Sequence, residues 1–160
     1  MITLIYPKED WTSAELSTKL QALASSRDIE FYTTPKHGKR DEEHIARKLS
    51  NTDKAIFLAH DITSLDENTR WELKSLIKND ADIYLVAPDP LESELRELGF
   101  DDSQIYSYEE GDSHGFHAQI NKLMSRLDEQ SPGEGGDLAA FLIILGLLLL
   151  LLWLLSTLEE

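Results

Sequence analysis

An uncharged apolar stretch near the C-terminus constrains this chain more than any other feature of its sequence. Residues 138–155 read LAAFLIILGLLLLLLWLL, which is 18 residues without a charged side chain. As a helix this stretch is about 27 Å long, close to the ~30 Å hydrocarbon core of a bilayer. A small soluble domain has no interior place for a helix that is apolar on every side. We therefore expect a transmembrane helix here.

The flanks of this helix predict its orientation in the membrane. No Lys or Arg follows Arg126, so the last few residues can cross without a positive charge to retain them. The N-terminus, MITLIYPKED, lacks the pattern of a signal peptide. We expect a single-pass, tail-anchored protein of the bacterial inner membrane with its large N-terminal domain in the cytoplasm. The positions expected in the bilayer include Leu138, Phe141, Gly146, Leu150 and Trp153, the last near the interface that indoles favour.

Composition excludes several classes of function for the rest of the chain. Among 160 residues, Lys and Arg number 15 and Asp and Glu number 30, so the net charge is −15 and nucleic acid is an unsuitable partner. The absence of cysteine excludes disulfide scaffolds, zinc ribbons and cysteine nucleophiles. The glycine-rich loops of Rossmann dehydrogenases and P-loop NTPases are missing. His114 and His117 form an H-x-x-H pair without a third ligand, so no metal site is predicted.

Four segments are expected along the chain. Residues 1–128 form the cytosolic α/β domain, and residues 137–157 form the transmembrane helix. Between them, residues 129–136 (EQSPGEGG) read as a flexible linker because they are rich in Gly, Pro and acidic side chains. Residues 158–160 are a short tail.

Strand and helix patterns alternate through the N-terminal domain. Apolar or alternating runs predict strands at residues 2–6, 29–33, 55–59, 83–87 and 104–108. Helices are expected between them, the first from a capping box at residues 12–15 and the third capped by Asp66. This (βα)₅ order requires a parallel sheet with helices on both faces. The second and fifth strands alternate, as edge strands do, which predicts the flavodoxin-like order 2-1-3-4-5.

In such a sheet, ligands bind beyond the carboxyl ends of the strands, near the switch point between strands 1 and 3. The rim expected there comprises residues 6–11, 34–39, 60–66, 88–90 and 109–114. Its candidate ligand-binding residues are Tyr6, Pro7, His60, Asp61, Ser64 and Pro88.

A receiver-like phosphoacceptor domain is one alternative for this rim. Asp61 follows strand 3, where an acceptor aspartate would lie, and Glu9 and Asp10 follow strand 1, where an acidic pair would bind a cation. However, strand 4 ends without a hydroxyl, and strand 5 is followed by two glutamates rather than a lysine. A phosphoaspartate among carboxylates is electrostatically unfavourable, so Asp61 is better explained as a turn residue.

Residues 59–73, AHDITSLDENTRWEL, carry the most specific motif. A strand ends, a polar loop with Ser64 follows, and the next helix carries Trp71, Glu72 and Leu73 in its early turns. This resembles TIR (Toll/interleukin-1 receptor-like) domains, in which a serine loop leads into a helix with a W-x-x-E-L or W-E-hydrophobic signature. The first strand, ITLIYP, departs from the D-x-F-[IL]-S-[HY] run usual in that family. The resemblance implies that Glu72 is catalytic and handles a ribose during N-glycosidic cleavage, with NAD or a cyclic or ADP-ribose-type nucleotide as ligand.

Helix geometry gives an independent expectation for this helix. At about 100° per residue, Glu72 borders the apolar stripe of Leu73, Leu76 and Ile77, and Trp71 lies opposite it. We expect Glu72 to be half-buried with a raised pKa, or else solvated beside a Lys or Arg. Trp71 is expected as an exposed interface residue, or as a ring lying over a neighbouring loop.

Two functions follow from these expectations. In the favoured one, the cytosolic domain receives a protein or a nucleotide second messenger and self-assembles as a homo-oligomer. It thereby clusters its helices in the lipid bilayer, as in membrane-disrupting effectors of antiviral defence, an analogy drawn from the family resemblance. The alternative is a membrane-tethered NAD glycohydrolase or nucleotide-signal enzyme that uses Glu72. A plain tail-anchored adaptor is a further option.

Overall fold

The computed structural model describes the backbone of residues 1–130 and 137–158. It describes the side chains of these residues except for 127–130, 137–142, 145, 148–149 and 155. The strands are β1 (Ile2–Ile5), β2 (Phe31–Thr33), β3 (Lys54–Leu58), β4 (Asp82–Pro88) and β5 (Ile105–Tyr108). The helices are α1 (Trp11–Ser25), α2 (Glu42–Ser50), α3 (Glu67–Lys78), α4 (Glu92–Leu98), α5 (Ser113–Gln130) and α6 (Asp137–Leu158). Short 3₁₀ turns cover Asp89–Leu91 and Asp102–Gln104.

All five strands are parallel and lie in the order β2-β1-β3-β4-β5, which confirms the predicted α/β class and strand order. Strand β1 is buried along its whole length, whereas β5 alternates between half-buried and buried positions. This is the difference expected between a central strand covered on both faces and an edge strand. The pattern of apolar and alternating residues therefore predicted which strands lie at the centre of the sheet and which lie at its edges.

Successive side chains of each strand enter different cores because they point to opposite faces of the sheet. Leu4 lies in the core beneath α1 and α5, where it joins Leu16 and Phe116. Its neighbour Ile5 lies in the core beneath α2, α3 and α4, where it joins Leu73. The domain is thus a three-layer sandwich with a separate apolar core on each face.

Aspartate side chains cap the N-termini of helices α1 and α3, and the sequence patterns predicted only the second of these caps. Helix α1 begins at Trp11, and its cap is Asp10, whose carboxylate accepts a hydrogen bond from the Ser13 N–H at 3.0 Å. The expected capping box at residues 12–15 is therefore wrong. Asp66 caps α3 as predicted, by accepting from the Thr69 N–H.

Helix α6 has almost the predicted length, but one of its faces lies against α1 and α5. Ile144 (1% exposed) and Leu152 (4% exposed) enter the core beneath these helices, and Leu147 and Leu151 are partly buried there. The expectation that a small domain has no place for this helix is wrong for that face. The reason is that α1 and α5 present an apolar surface, which the buried side chains of α6 join.

The opposite face of α6 is in contact with solvent. Gly146 is partly exposed there, and Leu150 and Trp153 expose 52% and 60% of their surface. The side chains of Leu138 and Phe141 lie outside the described residues. A search of the described residues finds no helix that is both long and apolar enough to cross a membrane.

The segment boundaries differ slightly from those expected. Helix α5 runs through Gln130, so the first two residues of the expected linker 129–136 are helical. The rest of that linker and the last two residues of the expected tail lie outside the described residues.

The end of α4 provides a test of the fold. Gly99 has a φ of +112° in the left-handed region, where an L side chain is strained. Gly99→Ala should therefore lower the free energy of unfolding by about 1–2 kcal/mol, measured by urea denaturation.

Gly146→Ala is the matched control. Gly146 is helical, and a Cβ built there meets no atom within 4 Å. The urea midpoint should stay unchanged or rise, because Ala favours helix by about 1 kcal/mol. Equal loss in both variants would contradict the left-handed end of α4.

Candidate functional site

A buried carboxylate joins the loops after β1 and β3, at the predicted switch point. One oxygen of Asp10 caps α1, and the other accepts from the His60 N–H at 2.7 Å. Burial raises the pKa of Asp10, while the hydrogen bonds from His60 and Ser13 act in the opposite direction. Both carboxylate oxygens are therefore occupied by backbone donors, which leaves Asp10 as a positioning residue for the rim.

The loop after β3 is also fixed from β5. The Tyr108 hydroxyl donates to the Ala59 carbonyl at 2.7 Å and accepts from the Asp61 N–H at 3.1 Å. Burial raises the pKa of Tyr108 well above its ordinary value, so the phenol keeps its proton. Hydrogen bonds therefore join the loops after β1 and β3 and the end of β5 at this edge of the sheet.

Asp61 has the features of a turn residue. Strand β3 ends at Leu58, and Asp61 lies in the following loop with a φ of +56°. Its carboxylate accepts from the Gly111 N–H at 2.9 Å. Among the residues that the structure describes, no group of three His, Asp or Glu side chains is placed to hold a metal ion. The geometry thus favours the turn interpretation of Asp61 over a receiver-like one.

Glu72 is completely buried, whereas half-burial was expected. Its exposed fraction is 0%, and its carboxylate lies 2.5 Å from the Lys36 Nζ and 3.0 Å from an Arg40 guanidinium nitrogen. The Thr34 hydroxyl also donates to it at 3.0 Å. We call these four residues the buried ion cluster. It ties α3 to the loop that follows β2.

The orientation of α3 explains why the helical stripe was assigned incorrectly. The buried positions of α3 are Thr69, Glu72, Leu73 and Leu76, whereas Ile77 is 37% exposed. The helix is rotated toward Glu72 because the cations of the loop after β2 compensate the buried carboxylate. A stripe of apolar residues alone contains no signal for that pairing.

This environment limits what Glu72 does chemically. Lys36 is itself buried, and burial lowers its pKa, while the charge of Glu72 acts in the opposite direction. Both oxygens of Glu72 are engaged, so a ribose would have to displace one of its protein partners. The paired state agrees with the Lys or Arg pairing expected as an alternative, but the carboxylate is buried rather than solvated.

Trp71 is partly buried, whereas an exposed interface residue was one of the two expectations for it. It packs against the core beneath α2, α3 and α4. Trp11, in contrast, is 66% exposed and stacks on His37, with the ring centroids 5.1 Å apart. Both residues lie within the rim expected from the sequence, at 6–11 and 34–39, although neither was among its candidate ligand-binding residues.

The other predicted rim residues divide into buried and accessible ones. Tyr6, Pro7 and Pro88 are buried, so their side chains form the base of the rim. Ser64 and Asp61 are exposed. His60 is partly exposed, and its ring packs edge-on against Phe116, with the centroids 5.1 Å apart.

A cavity of about 190 Å³ opens beside His60, between α1, α5 and α6, and we call it the edge cavity. Its lining residues are Thr12, Glu15, His60, Ser113, His117, Leu152 and Ser156. Burial lowers the pKa of His117, and the neighbouring His114 and His60 add to this effect. Of the seven lining residues, only His60 belonged to the predicted ligand-binding set. A larger groove of about 540 Å³ runs along β5 and α5 and contains none of the predicted site residues.

The buried ion cluster makes a testable contribution to stability. Glu72→Gln leaves the buried Lys36 ammonium without its counter-charge, and we expect a loss of about 3–5 kcal/mol in the free energy of unfolding. Adding Lys36→Met to this variant should recover part of the loss, measured as a double-mutant cycle in urea.

Glu67→Gln is the matched control, since Glu67 is an exposed glutamate of the same helix. Its effect should stay within about 0.5 kcal/mol. If Glu72→Gln proved no more destabilising than Glu67→Gln, the buried ion cluster would not exist in solution. Because Glu72→Gln is expected to destabilise the fold, a loss of activity in this variant does not by itself identify Glu72 as a catalytic residue.

Comparison with known proteins identifies no relative of this chain. No protein-family model, curated protein or solved structure matches the chain.

Proposed function

We propose that the chain is a membrane signalling or effector protein attached to the bilayer through α6. In this proposal the α/β domain receives a nucleotide or protein signal at its carboxyl edge and then self-associates, which gathers several α6 helices. The observation that carries the proposal is the exposed outer face of α6. Ile143, Leu150, Trp153 and Leu154 each leave at least 43% of their surface in water on this face.

The outer face of α6 favours an apolar environment. Burying one such side chain completely contributes about 1.5–3 kcal/mol relative to leaving it exposed. Contiguous apolar patches on soluble domains mark sites that contact another protein or a membrane. Four large side chains on one helix therefore support several kcal/mol of attraction to such a partner.

Lipid accounts for this surface better than a protein partner does. A helix that docks on a protein keeps a polar face for water, whereas residues 138–155 contain no charge on any face. A helix also satisfies its own backbone hydrogen bonds, as hydrocarbon requires. Trp153 lies near the end of the apolar segment, a position typical of the membrane interface.

The proposal includes self-association because a single copy of α6 has no polar path through a membrane. Residues 138–155 contain no ionisable side chain, so one copy offers no path for ions. An effect on the membrane therefore needs several copies gathered by their α/β domains. The carboxyl edge, where loops from β1, β3 and β5 are tied together, is the place where a ligand would influence that association.

Flotation with phosphatidylcholine vesicles tests the attachment. The full chain should float with the vesicles, whereas a chain ending at Gln130 should stay in the soluble fraction. Leu150→Lys should lower the partition constant for the vesicles roughly 100-fold, because a lysine near the helix centre costs about 2.5–3.5 kcal/mol on insertion.

Ala46→Lys is the control for the added charge, since Ala46 is an exposed residue of α2 on the other face of the sheet. It should bind vesicles as the unmodified chain does. A full-length protein that remained soluble and monomeric beside vesicles would contradict the proposed attachment.

Light scattering in detergent tests the assembly step. Adding NAD or ADP-ribose to the solubilised full chain should raise the mass of the protein component to that of several chains. The mass of a single chain under every condition would contradict clustering by these two nucleotides while leaving the attachment intact.

A further inference from the structure

We infer that α6 is a strap that forms one wall of the edge cavity, and that removing this wall and releasing α6 to the membrane are one event. The inference rests on the proposed function, since the released helix needs the bilayer as its second environment. It adds a closed state in which the same helix is held against its own domain.

The composition of the cavity wall is the first support. Thr12 and Glu15 come from α1, His60 comes from the loop after β3, and Ser113 and His117 come from α5. Helix α6 supplies Leu152 and Ser156. If α6 leaves, these two residues leave with it, and the partly exposed imidazoles of His60 and His117 lose this cover. The cavity therefore has a wall on this side only while α6 is docked.

The nature of the docking contact is the second support. Ile144 and Leu152 are the buried anchors of α6, and Leu147 and Leu151 are partly buried beside them. The described side-chain hydrogen bonds of α6 stay within the helix, from Ser156 to the Trp153 carbonyl and from Thr157 to the Leu154 carbonyl. Apolar contacts are non-directional, so acyl chains can replace them without leaving a polar group unsatisfied.

The chemistry of the cavity is the third support. Two imidazoles, a carboxylate and the hydroxyls of Thr12, Ser113 and Ser156 surround the aliphatic Leu152. A polar ligand that hydrogen-bonds to His60 and His117 would fill the space best where Leu152 is absent. Such a ligand binds the open state in preference to the closed one and thereby shifts the population toward released α6.

A cross-link across the edge cavity tests the strap. The chain has no cysteine, so Thr12→Cys with Ser156→Cys introduces a single reactive pair. A short bis-methanethiosulfonate reagent should join this pair within one chain in buffer, and dithiothreitol should release it. Thr12→Cys with Thr157→Cys is the control, because Thr157 is exposed and turned about 100° around the helix.

The cross-linked protein should bind phosphatidylcholine vesicles at least tenfold less than the same protein after reduction. If both forms bind equally, the strap is wrong while the membrane attachment stands. If neither form binds but the unmodified chain does, the introduced cysteines rather than the strap explain the loss, and the inference fails. If the unmodified chain also fails to bind, the proposed function is wrong. Absence of the cross-link in buffer would overturn the docked state itself.

A pair of truncations gives a second test without cross-linking. Leu152→Ala and Leu150→Ala remove the same apolar atoms from the membrane-bound helix, but only Leu152 is buried in the docked state. We expect Leu152→Ala to bind vesicles at least fivefold more tightly than Leu150→Ala, because it also weakens the closed state. Equal binding by the two variants would overturn the inference.

Discussion

The main constraint on this structure is where the chain buries one helix whose surface is apolar on every side. Helix α6 places Ile144 and Leu152 on α1 and α5 and leaves Leu150 and Trp153 in water. A helix of this kind has no arrangement on a small domain in which every face is covered, because a single layer of neighbours contacts only one side. The exposed half is the physical reason for expecting a second environment, and lipid fits its composition.

One of the two faces of the α/β domain is packed without any contribution from α6. It has two apolar cores, and the one beneath α2, α3 and α4 receives nothing from that helix. Across the sheet edge, Asp10 and Tyr108 bind backbone groups of the loop after β3, and the buried ion cluster fixes the loop after β2. These contacts are directional and buried, whereas the docking of α6 is apolar. The rim is therefore held by hydrogen bonds and ion pairs, and α6 by apolar packing.

The sequence contained enough information for the sheet but too little for the site. Strand order follows from burial, since central strands must be apolar on both sides, and this property is visible residue by residue. The environment of Glu72 depends on Lys36 and Arg40, which lie more than 30 positions away, so helical spacing within α3 predicted half-burial and a buried Ile77. The partial burial of Trp71 is also a tertiary effect, since this side chain packs against the core beneath α2, α3 and α4. The docking of α6 is likewise a tertiary contact that hydropathy does not encode.

The edge cavity of the α/β domain and helix α6 together suggest how the proposed function would be regulated. A ligand shifts an equilibrium only by the difference between its affinities for the two states. In the proposed strap, the edge cavity supplies such a difference, because Leu152 and Ser156 are part of its wall in the docked structure and would be absent from it after release. In the same proposal the bilayer supplies another, because it would bind α6 only after the helix has left α1 and α5. Two ligands that favour the same state raise the affinity of a protein for each other, so the proposed release would couple the α/β domain to its apolar helix.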